Sequence, residues 1–295
     1  MLQERLIGVK NLLEKAMKRR KFIKGITSLA GLALTTGFYS YRIEPFWLEF
    51  VKIKMPIKNL PKNLIGLSLM QISDLHIGNR FDYSFIIDSF AKAREYQPDF
   101  VVYTGDFIHY EDFNQLDQLR EIFKNPVKGK LGTIGILGNH DYGKNWAENK
   151  LANSVVKVLN DSGVTMLRNE QKEIKGFNFI GFDDYWATNF HPNKVMKLYD
   201  PKKANIVLAH NPDVCDLDIW NNYKGWILSG HTHGGQVKPP FLKPPMLPVK
   251  NKKYTAGKID LPNERIVYIN RALGHLWQVR FNVRPEITVF ELVEG

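Results

Sequence analysis

The sequence predicts a layered α/β domain preceded by a basic and then apolar leader. Three observations predict it. Apolar runs such as 100-FVVYT-104, 205-NIVLA-209 and 225-GWILS-229 carry no charge, as strands covered on both faces do. Helix-length segments separate several of these runs, and strands alternating with helices pack as an α/β layer structure. The first 41 residues differ in composition from everything that follows. At 295 residues, 44% hydrophobic and 24% charged, the chain has ample material for a core.

Residues 1–24 form the basic part of the leader. Eight Lys/Arg against Glu4 and Glu14 give it +6, leaving +5 of the total +11 for the other 271 residues. The apolar run 25-GITSLAGLALTTGFYSY-41 follows, just long enough to approach a bilayer span. A basic head before an apolar stretch reads as a signal or anchor segment rather than as part of the fold. The pair Arg19–Arg20 with Phe22, Ile23 and Lys24 resembles a twin-arginine export signal, although Lys18 stands where Ser or Thr is usual. Export machinery and a membrane, reached through residues 25–41, are therefore expected partners. The expected location is outside the bacterial cytoplasm or at the outer face of its membrane.

Residues 42–64 link to the domain and contain its first strand, where Val51, Ile53 and Met55 alternate with Lys52 and Lys54. The catalytic domain is placed at 65–295. Its strands are read at 65–73, 100–104, 133–137, 177–182, 205–209, 225–229, 264–270 and 286–293. Helices are expected at 82–96 and 145–163; in the second, Leu151, Val155, Val156 and Leu159 recur at helical spacing and Gly163 suits a C-cap. The 239-PPFLKPPMLP-248 stretch is too rich in proline for regular structure and reads as an ordered loop.

Five short stretches fall at or just beyond the C-terminal ends of these strands, where open α/β sheets place their sites. They are 73-SDLHIG-78, 104-TGDF-107, 138-GNHDY-142, 209-AHNPD-213 and 230-GHTHGG-235, and they supply Asp74, His76, Asp106, Asn139, His140, His210, His231 and His233. Imidazole and carboxylate without thiolate suit divalent Mn, Fe, Zn, Co or Ni. The ligands are too many for one tetrahedral ion and about right for two, and a carboxylate such as Asp106 can bridge a pair. Two divalent cations, two carboxylates and a hydroxide leave a net +1, which attracts a phosphate ester. With only Cys215, no intrachain disulfide is available, and no zinc-finger, RNA-binding or recognition-helix motif accompanies the positive charge.

The series DxH, GD, GNHD, a lone His and GHxH, in this order from about residue 66 to 236, resembles the calcineurin-like metallophosphoesterases. The resemblance implies an αββα fold, a β-sandwich flanked by helices, with two divalent metal ions. It implies Asp74, His76 and His233 on one ion, Asn139, His210 and His231 on the other, and Asp106 bridging. It places His140 toward the substrate, as general acid or transition-state stabiliser, with Asp141 orienting it. The implied reaction is in-line attack of a metal-bridging hydroxide on a phosphate ester, most simply a phosphodiester. Hydrolysis of a UDP-2,3-diacylglucosamine-type pyrophosphate is the alternative, and a non-catalytic metal-binding module ranks last. The leader and 270-NRALGHLWQVRFNVRPEITVFEL-292 resemble an exported or membrane-anchored bacterial phosphodiesterase branch, except that Ala272 stands where that branch has glycine.

Some residues stay outside the motifs. His109 and His191 read as solvated, and His275 as a surface residue. Phe241, Leu242, Met246 and Leu247 read as loop packing, with an apolar rim as the other reading. Arg271 and Arg280 either grip phosphate or pair with acids.

Overall fold

The computed structural model describes the backbone of residues 2–110 and 114–295, and side chains from Met17 onward. The chain divides into two compact units, Met1–Ile43 and Glu44–Gly295. The first is one helix, α1 (Leu2–Phe38), closed by a π turn at Tyr39–Ile43. No helix among the described residues is long and apolar enough to cross a membrane. Gly25, Gly31, Gly37, Ser28 and four threonines and serines around them dilute the apolar run. The hydroxyls of Thr27 and Thr35 donate back to the carbonyls of Ile23 and Gly31, the local bonding that lets such residues sit in a helix. The signal or anchor role expected of residues 25–41 is therefore not shown by this helix.

The second unit holds twelve strands among the described residues. They are β1 (Glu49–Ile57), β2 (Ser68–Ile72), β3 (Phe100–Thr104), β4 (Gly132–Ile136), β5 (Thr165–Met166), β6 (Glu170–Ile174), β7 (Phe177–Gly181), β8 (Ala204–Leu208), β9 (Gly225–Ser229), β10 (Gly257–Leu261), β11 (Arg265–Ile269) and β12 (Glu286–Glu294). They form two six-stranded sheets, ordered β1-β12-β2-β3-β4-β5 and β10-β11-β9-β8-β7-β6. Helices α2 (Ser84–Glu95), α3 (Asn114–Ile122) and α4 (Asn149–Asp161) accompany the first sheet, and the short α5 (Pro192–Met196) the second.

Three cores follow from these layers. Leu69, Val102, Ile134 and Phe290 of the first sheet meet Phe179, Ile206, Leu228 and Trp226 of the second. The other face of the first sheet offers Met70, Val101 and Tyr103 to Phe90, Leu119 and Val155 of the helices. Outside the second sheet, Ile180, Val207 and Ile227 are covered by Val195, Val214 and Trp220. Period-two alternation sends Leu69 to one core and Met70 to another. The architecture is an α/β fold of two mixed sheets with helices, as expected.

β2, β3 and β4 run parallel, and so do β7, β8 and β9. Parallel strands bring their C-terminal ends to one edge, so the residues after β2, β3 and β4 stand beside those after β8 and β9.

The 270–284 segment packs beneath the first motif. Leu273 and Gly274 donate their amides to the carbonyls of Ser73 and Asp74, and a Cβ on Gly274 would lie 1.9 Å from the Leu75 carbonyl oxygen. Ala272 takes φ 70°, the left-handed region that glycine occupies without penalty. Ala272→Gly is therefore expected to raise unfolding free energy by roughly 0.5 kcal/mol, relief of left-handed strain outweighing the added unfolded-state entropy. Urea denaturation measures it, and a fall in stability would refute the strain argument.

Candidate metal centre

The loops after the five strands carry the site, and several hold strained backbone. Asp74, His76, Asp106, His231 and His233 all have positive φ between 46° and 70°. Left-handed non-glycine residues gather where a site over-determines the backbone. Close approach dictates two of the glycines: a Cβ on Gly138 would lie 2.3 Å from Asp106 Oδ1, and one on Gly230 would lie 2.1 Å from Asp74 Oδ2. The glycines of GNHD and GHTH therefore let backbone close over the carboxylates.

Two trios converge. Asp74, His76 and His233 have ligand atoms within 4.8 Å of one another, as do Asp106, His210 and His231. Asp106 Oδ2 lies between the groups, 3.5 Å from His76 Nε2 and 3.1 Å from His210 Nε2. All six side chains are buried, and so is Asn139, whose Oδ1 has no hydrogen-bond donor. His76 Nε2 and His233 Nε2 stand 2.9 Å apart. Two imidazole lone pairs at that distance repel unless a proton or a cation lies between them.

The outer ring nitrogens are held. His210 Nδ1 donates to the Thr104 carbonyl at 2.7 Å, and His231 Nε2 donates to the Pro248 carbonyl at 2.8 Å. A carbonyl only accepts, so His210 Nδ1 and His231 Nε2 carry hydrogens, and the opposite nitrogens, His210 Nε2 and His231 Nδ1, are the ones left to meet a cation. Asp74 accepts the His231 amide at 3.0 and 3.1 Å and the Ser73 hydroxyl at 2.5 Å. The residues present fit divalent cations: imidazoles, two carboxylates and an unpaired amide oxygen, turned toward one another.

Electrostatics agree. Burial would raise the Asp106 carboxyl, but His210 and His140 beside it hold it well below the ordinary range. Burial would lower His210, yet Asp106 and Asp74 push it well above its usual value. Burial and the charge of His210 bring His231 down to about 3. Without metal, then, His210 carries a proton that holds the carboxylates together, and a cation must displace it. Metal binding is therefore expected to release protons and to weaken as pH falls. Calorimetric titration in two buffers of different ionisation enthalpy tests this; identical heats would contradict it.

His140, half-buried, donates its backbone amide to Asp106 Oδ1 at 2.8 Å. Its ring lies edge-on to His76, with centroids 4.9 Å apart, and against His109 at 4.7 Å. Burial lowers its pKa, and His210 and His233 add to this although Asp106 opposes. Asp141 departs from its expected role: no described hydrogen bond joins it to the His140 ring. Its Oδ1 accepts the amides of Phe107 and Ile108 and its Oδ2 that of Gly138. It ties the loop after β3 to the turn that carries His140.

Other expectations need correction. His109 is buried rather than solvated, and its ring joins those of His76 and His140; its position three residues beyond Asp106 was the available signal. His275 is fully buried, accepts from Arg280 Nε at 2.9 Å and packs on Phe81 and Phe85. Arg280 is buried and spends its remaining donors on the carbonyls of Arg271, Ala272, Gly274 and Val283. Arg271 pairs with Glu286 and Glu49. These bonds tie Arg280 to the 270–286 segment and join Arg271 to both β12 and β1. His191 is exposed, as expected. Phe241, Leu242 and Met246 do not pack but stand in solvent.

Beyond the strand expected at 177–182, Asp183, Asp184, Tyr185 and Trp186 follow the C-terminal end of β7 and match none of the five motifs. Asp183 accepts the Tyr142 hydroxyl and Arg168. Asp184 is buried and pushed up to about 7 by burial and the nearby Asp106. The Trp186 ring stands edge-on to His231 at 4.5 Å and stacks on Trp146.

The calcineurin-like phosphoesterase profile matches residues 67–235, more than half the chain and all five motifs. The chain belongs to that family. It is 30% identical to phosphodiesterase YaeI of Escherichia coli, over 94% of this chain and all of that protein. It is 31% identical to the metallophosphoesterase YkuE of Bacillus subtilis, over 94% of this chain and 98% of that one. It is 26% identical to UDP-2,3-diacylglucosamine pyrophosphatase LpxG of Chlamydia muridarum, over 90% and 95% respectively. Metal-dependent phosphoric ester hydrolysis is the activity of this fold and site.

Proposed function

We propose that this phosphoesterase is a dinuclear phosphodiesterase. The observation that carries the reading is Asp106 Oδ2 lying between His76 Nε2 and His210 Nε2, a bridging position between two ligand sets. Asp74, His76 and His233 would hold one ion and Asn139, His210 and His231 the other, with Asp106 shared. When bound, two divalent ions supply Lewis acidity and acidify water at neutral pH. The protein's own part is positional. Asp74 and Asp106 fix the cation sites, the Thr104 and Pro248 carbonyls set the His210 and His231 tautomers, and Asp141 braces the turn that presents His140. His140 then meets the phosphoryl oxygens as a hydrogen-bond donor.

The diesterase assignment is supported by the similarity to YaeI. A second reading, a pyrophosphate hydrolase of a UDP-2,3-diacylglucosamine type, draws on the similarity to LpxG and on an apolar groove beside His233. Hydrolysis of bis-p-nitrophenyl phosphate against p-nitrophenyl phosphate, after metal stripping and resupply with Mn²⁺, Zn²⁺, Fe²⁺, Co²⁺ or Ni²⁺, tests the first. Monoester cleavage without diester cleavage would overturn it.

Residues 18–41 are further proposed as an export address, of the twin-arginine type, acting at the outer face of the cytoplasmic membrane. Its support is the basic cluster directly before the apolar run. Protease accessibility in intact cells tests it, and full protection of the chain inside the cell would reject it.

A further inference from the structure

The proline-rich loop and the wall opposite it form a surface that the chemistry at the metals does not use. A groove of ≈ 910 Å³ runs from Thr232 and His233 between Met246 and Leu247 on one side and Leu276 and Trp277 on the other. Two of its lining side chains stand largely in solvent, Met246 at 62% and Trp277 at 55% exposure, and on the same loop, beside a neighbouring hollow, Phe241 is 106% exposed and Leu242 63%. Phe241 also takes φ 64°, a backbone that bulky side chains seldom adopt.

Charge identifies what could cover such a surface. From Val237 to Lys253 the chain holds five lysines, all exposed, and no Asp or Glu. Exposed Phe, Leu, Met and Trp interleaved with lysine match the headgroup region of a bilayer, where rings and aliphatic chains enter and ammonium groups stay with anionic headgroups. A soluble small substrate needs neither the rim nor the lysines.

The loop is also tied to the site. Its Pro248 carbonyl holds His231, Lys252 Nζ caps the carbonyls of Leu247 and Val249, and Asp213 accepts the Lys250 and Asn251 amides. A Cβ on Gly235 would lie 2.3 Å from Pro244. Proline locking and these bonds give a firm platform whose apolar groove opens directly on His233.

We propose that the 237–253 loop and Trp277 seat the catalytic unit on an anionic lipid surface, so that a lipid-borne phosphoester enters along the groove. This deepens the phosphodiesterase reading by naming the substrate class, and the docking face stands or falls by a measurement that needs no turnover.

The test uses the full chain with Leu242→Cys carrying an environment-sensitive fluorophore; Cys215 is buried and escapes labelling. A second protein carries the probe at Lys172→Cys, on the edge strand β6. With phosphatidylglycerol vesicles, the probe at 242 is expected to shift to the blue and brighten, while that at 172 stays unchanged. Replacing Lys243, Lys250 and Lys253 by Gln should weaken the half-saturating lipid concentration by at least about tenfold, since each lysine near an anionic surface counts for about fivefold. A 242 probe that stays water-exposed while the chain co-sediments with vesicles would assign binding to the leader and overturn the proposal. An equal response to phosphatidylcholine vesicles would overturn the anionic assignment. If the 242 probe responds but phosphodiester hydrolysis is absent, the docking face survives and the enzymatic reading fails.

Discussion

Asp106→Asn is expected to lower phosphodiester hydrolysis about 10³-fold, the equivalent of losing several kcal/mol of charge stabilisation at 1.36 kcal/mol per decade. The substitution keeps shape and removes charge. Asn can still accept the His140 amide that Asp106 Oδ1 takes at 2.8 Å, so the turn after β4 should survive. Its second atom is the difficulty. Oδ2 stands 3.5 Å from His76 Nε2 and 3.1 Å from His210 Nε2, and an amide NH₂ there is a donor aimed where cations belong. If the uncharged oxygen were turned inward instead, the His140 amide would lose its acceptor. Elemental analysis should therefore show fewer than two metals per chain, with an unfolding transition close to that of the parent. Two tightly bound metals and activity within tenfold of the parent would remove Asp106 from its bridging place.

How much of this was legible depended on which signals are local. β3 and β9 match the sequence reading to the residue because five uncharged residues buried on both faces leave no ambiguity. The edge strands β6 (EQKEI) and β10 (GKIDL) escaped because edge positions carry charge and do not form apolar runs. α3 was readable in principle, with Leu116, Leu119 and Ile122 at helical spacing, and was missed in the polar sequence around them. The Asp and His residues that the structure gathers were visible because residues placed at strand ends fall in short motifs there. Asp184 and Trp186 obey the same rule at β7 but match no motif. His275 could not be found locally: its burial depends on Arg280 donating to its Nδ1 and on Phe81 and Phe85 packing against it. The exposure of Phe241 ran against expectation for a related reason. Proline-rich sequence predicts an ordered loop but not which way its apolar side chains face.

His140→Ala is expected to cost 10²- to 10⁴-fold in kcat while both metals stay bound, the range for a positioned proton donor or acceptor. His140 belongs to neither trio around Asp106, and its link to Asp106 runs through the backbone amide, which alanine keeps. Metal content separates this role from the other arrangement the rings permit, a shared site of His76, His109 and His140; a loss of one metal on substitution would point there. How the ring acts follows from its charge. Burial and the neighbouring histidines already depress its pKa, and two divalent cations would depress it further. A neutral imidazole stabilises an oxygen by donating its N–H but is a poor source of a transferred proton. The loss in His140→Ala should therefore be similar for p-nitrophenyl and alkyl leaving groups. If it grows steeply with leaving-group basicity, the ring is transferring a proton, and the site must raise its pKa through the bound phosphate rather than lower it through burial.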